Sequence, residues 1–84
     1  MYRYMVSIPH SMEDCVRALK TIESAGLITH SDWGCKDGAH TGWVILEAES
    51  KSQAMMVVPA LLREKAQVVQ LVKFSPEEVR LMHG

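Results

Sequence analysis

The chain lacks the features that mark several large functional classes. Its nine Lys and Arg and ten Asp and Glu residues give a net charge of −1. They are scattered along the chain, so no basic stripe is present to meet the phosphates of nucleic acid. No apolar run approaches the roughly 18 residues of a membrane span, and the N-terminus lacks a signal-peptide pattern. We therefore expect no nucleic-acid partner and no membrane partner.

Cysteines are also scarce, and phosphate-binding glycine motifs are absent. Two cysteines are too few for a disulfide framework, which favours a reducing cytoplasm as the location. Neither GxGxxG nor GxxxxGKS/T is present, so any reaction is expected to use no cofactor. In contrast, 48% of the 84 residues are hydrophobic. This is high for a chain that forms one small domain, and it suggests either a very full core or a second apolar face covered by a partner.

The first half of the sequence predicts a strand, a helix and a hairpin. Alternating apolar residues predict a strand over 2–8. Ser11 is the expected N-cap of a helix over 12–25, whose apolar stripe includes Met12, Cys15, Val16, Leu19 and Ile22. Asp37-Gly38 then predicts a type I′ turn between strands 28–36 and 39–48. That register places Cys35 opposite His40 and Trp33 opposite Gly42.

The second half predicts a helix, a strand and a short helical tail. Ser50 and Gln53 form a capping box for a second helix, and Pro59 should kink or split it. A last strand is expected over 67–74, and Ser75-Pro76 should start the C-terminal helix.

The predicted element order is βαββαβ, which is an α+β, ferredoxin-like arrangement covering residues 1–84 as a single domain. Right-handed crossovers give the strand order 4-1-3-2, with both helices on one face of the antiparallel sheet. Because strands three and four are apolar on both sides, we expect the other face to be covered by a second copy of the chain. The expected assembly is a homodimer.

The chain resembles the dimeric α+β barrel superfamily in its element order and in a few residues, namely His40, residues 47–50 (EAES), Ala54 and Pro59. Members of this superfamily include muconolactone isomerases, small cofactor-free monooxygenases and many uncharacterised bacterial proteins. The resemblance implies two sheets packed face to face and a small organic molecule bound between sheet and helices. It implies no catalytic residue, because no family motif matches here residue by residue.

Cys35 and His40 form the first candidate site. As a cross-strand pair they could lower the pKa of the thiol and make it reactive, or they could supply two ligands to a soft metal such as zinc. His83 in the tail is expected to return to the hairpin end as a further ligand. A plain cross-strand contact without function is the alternative. Cys15, on the buried stripe of the first helix, is expected to be structural.

A second candidate site contains His10, His30 and Asp32. The end of the first strand and the start of the second are expected to meet at the end of the sheet opposite the hairpin, which would place these residues together as catalytic acid and base. The alternative is that His10 lies in a loop and His30 on an exposed edge strand.

Aromatic side chains suggest a ligand-binding cavity. Tyr4, Trp33 and Trp43 could line it, although they could equally be ordinary core residues.

Three functions follow from these candidate sites. The first is small-molecule binding with cofactor-independent isomerase or oxygenase chemistry, the second a non-catalytic regulatory or assembly module, and the third a Cys/His metal- or redox-responsive protein.

Overall fold

A four-stranded antiparallel sheet organises the chain in the computed structural model, which describes residues 1–84. The strands lie in the order β2-β3-β1-β4. Their bounds are Tyr2–Pro9 (β1), Ser31–Trp33 (β2), Thr41–Ala48 (β3) and Gln67–Leu71 (β4). The helices are Cys15–Ser24 (α1), Lys51–Val57 (α2) and Pro76–Arg80 (α3). The predicted α+β class and four-stranded antiparallel sheet are confirmed, and no helix has the length and apolar character needed to span a membrane.

The core lies between one face of the sheet and the first two helices. Tyr4, Val6 and Ile8 alternate along β1 and are at most 3% exposed, because every second side chain of a strand points to the same face. Two small clusters result. One contains Val6, Ile8, Ile22, Val44 and Val58, and the other contains Tyr4, Ala48 and Ala54. Only 10 of 84 residues are buried, so this core is small for the length of the chain.

Helix α1 begins later than the sequence predicts. The backbone N–H of Asp14 donates to the carbonyl of Ser11 at 3.1 Å, so a turn precedes the helix and Ser11 is not its N-cap. The buried residues of α1 are Ala18 and Ile22. Met12 and Val16, which were expected in the buried stripe, are 69% and 61% exposed.

The hairpin keeps its predicted register but not its predicted turn. Trp33 pairs with Gly42 as expected. However, β2 has only three residues, and a 3₁₀ turn at Cys35–Asp37 replaces its second half. A type I′ turn requires positive φ at both central residues, whereas only Gly38 has it. Cys35 and His40 therefore lie in a loop over 34–40 instead of in paired strands.

The second helix and the tail follow the sequence closely. The Ser50 hydroxyl accepts a hydrogen bond from the N–H of Gln53 at 3.1 Å. Helix α2 ends before Pro59, and a 3₁₀ turn at Ala60–Leu62 follows, which confirms the predicted split. Ser75 caps α3 in a complete capping box. Strand β4, however, ends at Leu71 instead of residue 74.

The other face of the sheet carries no helix. The pairing register places Met5, Ile45 and Val69 in one row across β1, β3 and β4. Ile45 is 48% exposed and Val69 54%. The half-buried Trp43 lies on the same face, one row away. We call these four residues the open sheet face.

Candidate metal centre

Four potential metal ligands converge at one end of the sheet. They are His10, Cys15, Cys35 and His40, and one ligand atom from each lies within 4.8 Å of all the others. Every one of these residues is half-buried. His10 directly follows β1 and Cys15 is the first residue of α1. Cys35 and His40 lie in the loop between β2 and β3.

The strand directions explain why these residues meet. Strands β1 and β2 are both antiparallel to β3, so they run the same way and end at the same side of the sheet. His10 follows the end of β1, and Cys35 follows the end of β2. The prediction that His10 lies at the opposite end from Cys35 is therefore wrong, since it matched the end of β1 with the start of β2.

Glycines shape the loop that carries Cys35 and His40. A Cβ atom on Gly34 would lie 2.7 Å from the carbonyl oxygen of Ala39, so only glycine allows the two sides of the loop to approach this closely. Gly38 has φ +84°, a left-handed conformation that glycine adopts at low cost. The loop is tied to the first strand because the N–H of His10 donates to the carbonyl of His40 at 2.9 Å.

His10 is oriented by a backbone partner. Its Nδ1 lies 3.1 Å from the carbonyl oxygen of Ile8, and only a protonated nitrogen can donate to that oxygen. In a neutral imidazole this contact makes Nε2 the nitrogen that is available as a ligand, and Nε2 lies 3.3 Å from the Sγ of Cys35. A backbone carbonyl that fixes the tautomer of a histidine is the usual outer partner of a metal-binding imidazole.

His40 has a buried nitrogen without a partner. Its Nδ1 is shielded from solvent and makes no hydrogen bond, and it is the one buried side-chain nitrogen or oxygen atom in this state. A buried polar atom that lacks a partner costs roughly 1–3 kcal/mol. The fold carries this cost in one of the four residues of the cluster.

The sulfur atoms of Cys15 and Cys35 lie within 4.8 Å of each other. Burial raises the pKa of Cys35, and the neighbouring Cys15 raises it further through a hydrogen bond and through charge repulsion. One of the alternatives drawn from the sequence was that His40 could lower this pKa. The pKa is raised instead, because desolvation and a second thiol both disfavour the thiolate.

Trp33 forms a wall beside the site. Its ring centroid lies 5.6 Å from that of His10, and its indole N–H donates to Ser31 at 2.9 Å. The ring covers Gly42 so closely that a Cβ there would lie 2.8 Å from it. Trp33 was predicted to line a ligand cavity, and it instead packs against the core and His10.

The remaining predicted site residues lie elsewhere. His83 is exposed in the tail and takes no part in the four-residue cluster. It does not return to the hairpin, because β4 is antiparallel to β1 and ends beside Arg3, at the far end of the sheet. His30 and Asp32 are exposed, and Asp32 pairs with Trp43 on the open sheet face. A catalytic role for these residues with His10 stays a prediction.

The predicted aromatic cavity has no counterpart between sheet and helices. Tyr4 is buried in the core, whereas Trp43 lies on the opposite face of the sheet. The two clefts of the molecule lie on its surface, and neither is lined by Tyr4, Trp33 or Trp43. The smaller cleft, of about 190 Å³, adjoins His10.

One signal in the sequence points to the complete cluster. His10 and Cys15 are separated by four residues, and so are Cys35 and His40. The chain therefore contains a His-x₄-Cys motif followed by its mirror image, Cys-x₄-His. Sequence reasoning missed Cys15 because it fits the helical apolar stripe, and a free cysteine most often behaves as a small apolar residue.

No protein-family model, curated protein or solved structure matches the chain.

Proposed function

We propose that the protein is a zinc-binding module in which His10, Cys15, Cys35 and His40 hold one Zn²⁺ ion. The observation that carries this proposal is the convergence of two sulfur and two nitrogen ligand atoms within 4.8 Å of one another. In a tetrahedral Cys₂His₂ site the ligand atoms are about 3.3–3.8 Å apart, given Zn–S near 2.3 Å and Zn–N near 2.0–2.1 Å. The cluster would thus contract by no more than about 1–1.5 Å to bind the ion.

The buried nitrogen of His40 supports the same proposal. Coordination to Zn²⁺ would give Nδ1 the partner that it lacks in the protein alone. The contact between His10 and the Ile8 carbonyl leaves Nε2 free to bind the ion as well. The donor set of two thiolates and two imidazoles suits zinc better than the hard cations Mg²⁺ and Ca²⁺, which prefer oxygen.

A site with four protein ligands favours a structural or metal-responsive role over catalysis. Catalytic zinc sites keep one coordination position open for water or substrate, whereas structural sites are closed. The small core makes such a role reasonable, since only 10 residues are buried. Zinc binding would tie the end of β1, the start of α1 and the loop over 34–40 together, and thereby contribute to folding.

The test is metal stoichiometry with matched variants. We expect native mass spectrometry and elemental analysis to find one zinc ion per chain. Cobalt substitution should give the intense visible absorption of a tetrahedral Co²⁺–thiolate site. Cys35→Ser should abolish both signals, and His83→Ala should leave both unchanged. Metal-free protein that takes up neither ion after reduction would refute the proposal.

The fold family and the assembly belong to the same proposal. The strand order and the placement of both helices on one face of the sheet support a ferredoxin-like domain that resembles the dimeric α+β barrel superfamily. The open sheet face supports a homodimer, because exposed apolar patches of this kind usually mark interfaces. Free thiols suit a reducing cytoplasm.

Binding of a small organic molecule, with isomerase or oxygenase chemistry, stays a prediction from the resemblance. The space where it was expected is filled by core side chains. The metal-responsive function therefore has the stronger support.

A further inference from the structure

The C-terminal arm, residues 72–84, stands apart from the rest of its own chain. Every residue of the arm is exposed, and its hydrogen bonds all lie within the arm. Helix α3 makes at most isolated contacts with other elements. The arm is nevertheless apolar, with Val72, Phe74, Val79, Leu81 and Met82 between 54% and 71% exposed.

The sequence of the arm specifies a helix, α3, that is too short to be stable alone. Ser75 and Glu78 form a complete capping box, and Pro76 occupies the first turn. These signals define a helix start, yet a helix of five residues is far shorter than the roughly 12–15 residues that an isolated helix needs in water. A well-defined short helix with an apolar surface requires a partner surface to stabilise it.

The shape of the molecule shows how much surface lacks a partner. Its radius of gyration is 15.0 Å, against about 12 Å for a compact domain of this length. Its accessible surface is 6119 Å², which exceeds that of a compact monomer of this mass by about 1,100 Å². A stable interface buries about 800 Å² on each partner, so the excess is of the size that one dimer contact would bury.

We propose that two copies of the chain exchange their C-terminal arms, so that the arm of each copy covers the open sheet face of the other. This inference deepens the homodimer described above and is independent of the zinc site. The open sheet face has an apolar centre, and Arg3, Glu47 and Asp32 lie on the same face around it. An apolar centre with a polar rim is typical of protein interfaces.

The C-terminal arm and the open sheet face belong to the same chain, so each copy can give one arm and receive one. Such a contact is reciprocal and closes with two-fold symmetry. The metal centre lies at the other end of the sheet from the start of the arm, because β4 begins beside Ser7 and ends beside Arg3. Arm exchange and zinc binding therefore use separate surfaces.

The experiment is light scattering coupled to size-exclusion chromatography on full-length variants. Val79→Asp introduces a charge on the arm, and Val69→Asp introduces one on the open sheet face. Val16→Asp is the matched control, since Val16 is similarly exposed on the outer surface of α1. We expect wild type and Val16→Asp to have about twice the 9.4 kDa chain mass, and the other two variants to be monomers.

Mixing the two monomeric variants distinguishes exchange from the alternatives. Val79→Asp has an intact sheet face and Val69→Asp an intact arm, so together they can form one complete contact. Native mass spectrometry should then detect a heterodimer that neither variant forms with itself. Unchanged circular dichroism and zinc stoichiometry of each variant would show that it is folded.

Three results would contradict the proposal in different ways. A wild-type monomer at millimolar concentration would overturn both the homodimer and the exchange. If Val69→Asp is a monomer but Val79→Asp is still a dimer, the sheet faces pair without the arms. If both variants are monomers and mixing restores nothing, the arm acts within its own chain.

Discussion

At the scale of single residues, Gly34 sets the geometry of the candidate metal centre. The loop over 34–40 places Cys35 and His40 correctly only if the carbonyl of Ala39 can approach the Gly34 backbone. We expect Gly34→Ala to destabilise the protein by about 1–3 kcal/mol, the usual range for overpacking, and to weaken zinc binding. Gly26→Ala is the control. Gly26 has a positive φ, which Gly34 does not, and it has open space around it, so Gly26→Ala should lose about 1–2 kcal/mol of stability through backbone strain with zinc affinity unchanged. Thermal unfolding and a competitive chelator titration measure the two effects.

Thiol reactivity tests the pair Cys15 and Cys35 directly. In the zinc-loaded protein both sulfurs would be bound, and we expect neither to react with iodoacetamide. Removing the metal with a chelator should expose both to the reagent, with Cys35 reacting slowly at neutral pH because its pKa is raised by burial and by Cys15. Peptide mass spectrometry after timed alkylation follows each thiol. Equal reactivity of Cys35 with and without zinc would remove it from the ligand set.

At the scale of secondary-structure elements, local signals set the start of α2. Ser50→Ala removes the side chain that accepts from the Gln53 N–H, and we expect a loss of about 1 kcal/mol in the free energy of unfolding. Ser52 lies in the same helix and is exposed. Ser52→Ala should therefore be neutral or slightly stabilising, since alanine has the higher helix propensity. Urea denaturation of the two variants measures the difference.

The elements also show which parts of the fold follow from local sequence. Ser50, Pro59 and Ser75 act on the backbone within a few residues, and the predictions based on them are confirmed. The start of α1 could not be found in the same way, because Ser11 forms a turn that competes with the helix. The predicted type I′ turn at Asp37-Gly38 is also wrong. Once Gly34 allows a tighter loop, Cys35–Asp37 forms a 3₁₀ turn in place of the second half of the strand.

At the scale of the whole molecule, metal binding should decide how stable the protein is. A ligand that binds only the folded state adds about 2.7 kcal/mol when its free concentration is 100 times Kd. With so few buried residues, we expect this gain to be a large share of the total stability. The melting temperature should therefore fall markedly when a chelator is added to zinc-loaded wild type. It should not change when the chelator is added to Cys35→Ser.

Stability should fall with rising pH in the metal-free protein and rise with pH in the zinc-loaded protein. The pKa of Cys35 is raised in the folded, metal-free protein above its ordinary value of 9.0, so folding favours the neutral thiol. This contribution is present below that value and is lost as pH rises through the higher folded pKa. Zinc binding needs thiolates and releases protons, so zinc affinity rises with pH. Urea denaturation with and without zinc from about pH 7 to about pH 10, which brackets the ordinary pKa of a thiol, would show the contrast.

The sequence by itself determined the class of fold and several of its boundaries. Strand alternation, capping residues and prolines act over a few residues, so Tyr2–Pro9, Ser50 and Pro76 can be interpreted without the rest of the chain. Only the tertiary structure decided the convergence of His10, Cys15, Cys35 and His40. Cys15 is indistinguishable from a core residue in its own helix, and His10 is an ordinary loop residue in its own segment. They come together because β1 and β2 run in the same direction and end on either side of the start of β3, which depends on strand pairing across the whole sheet.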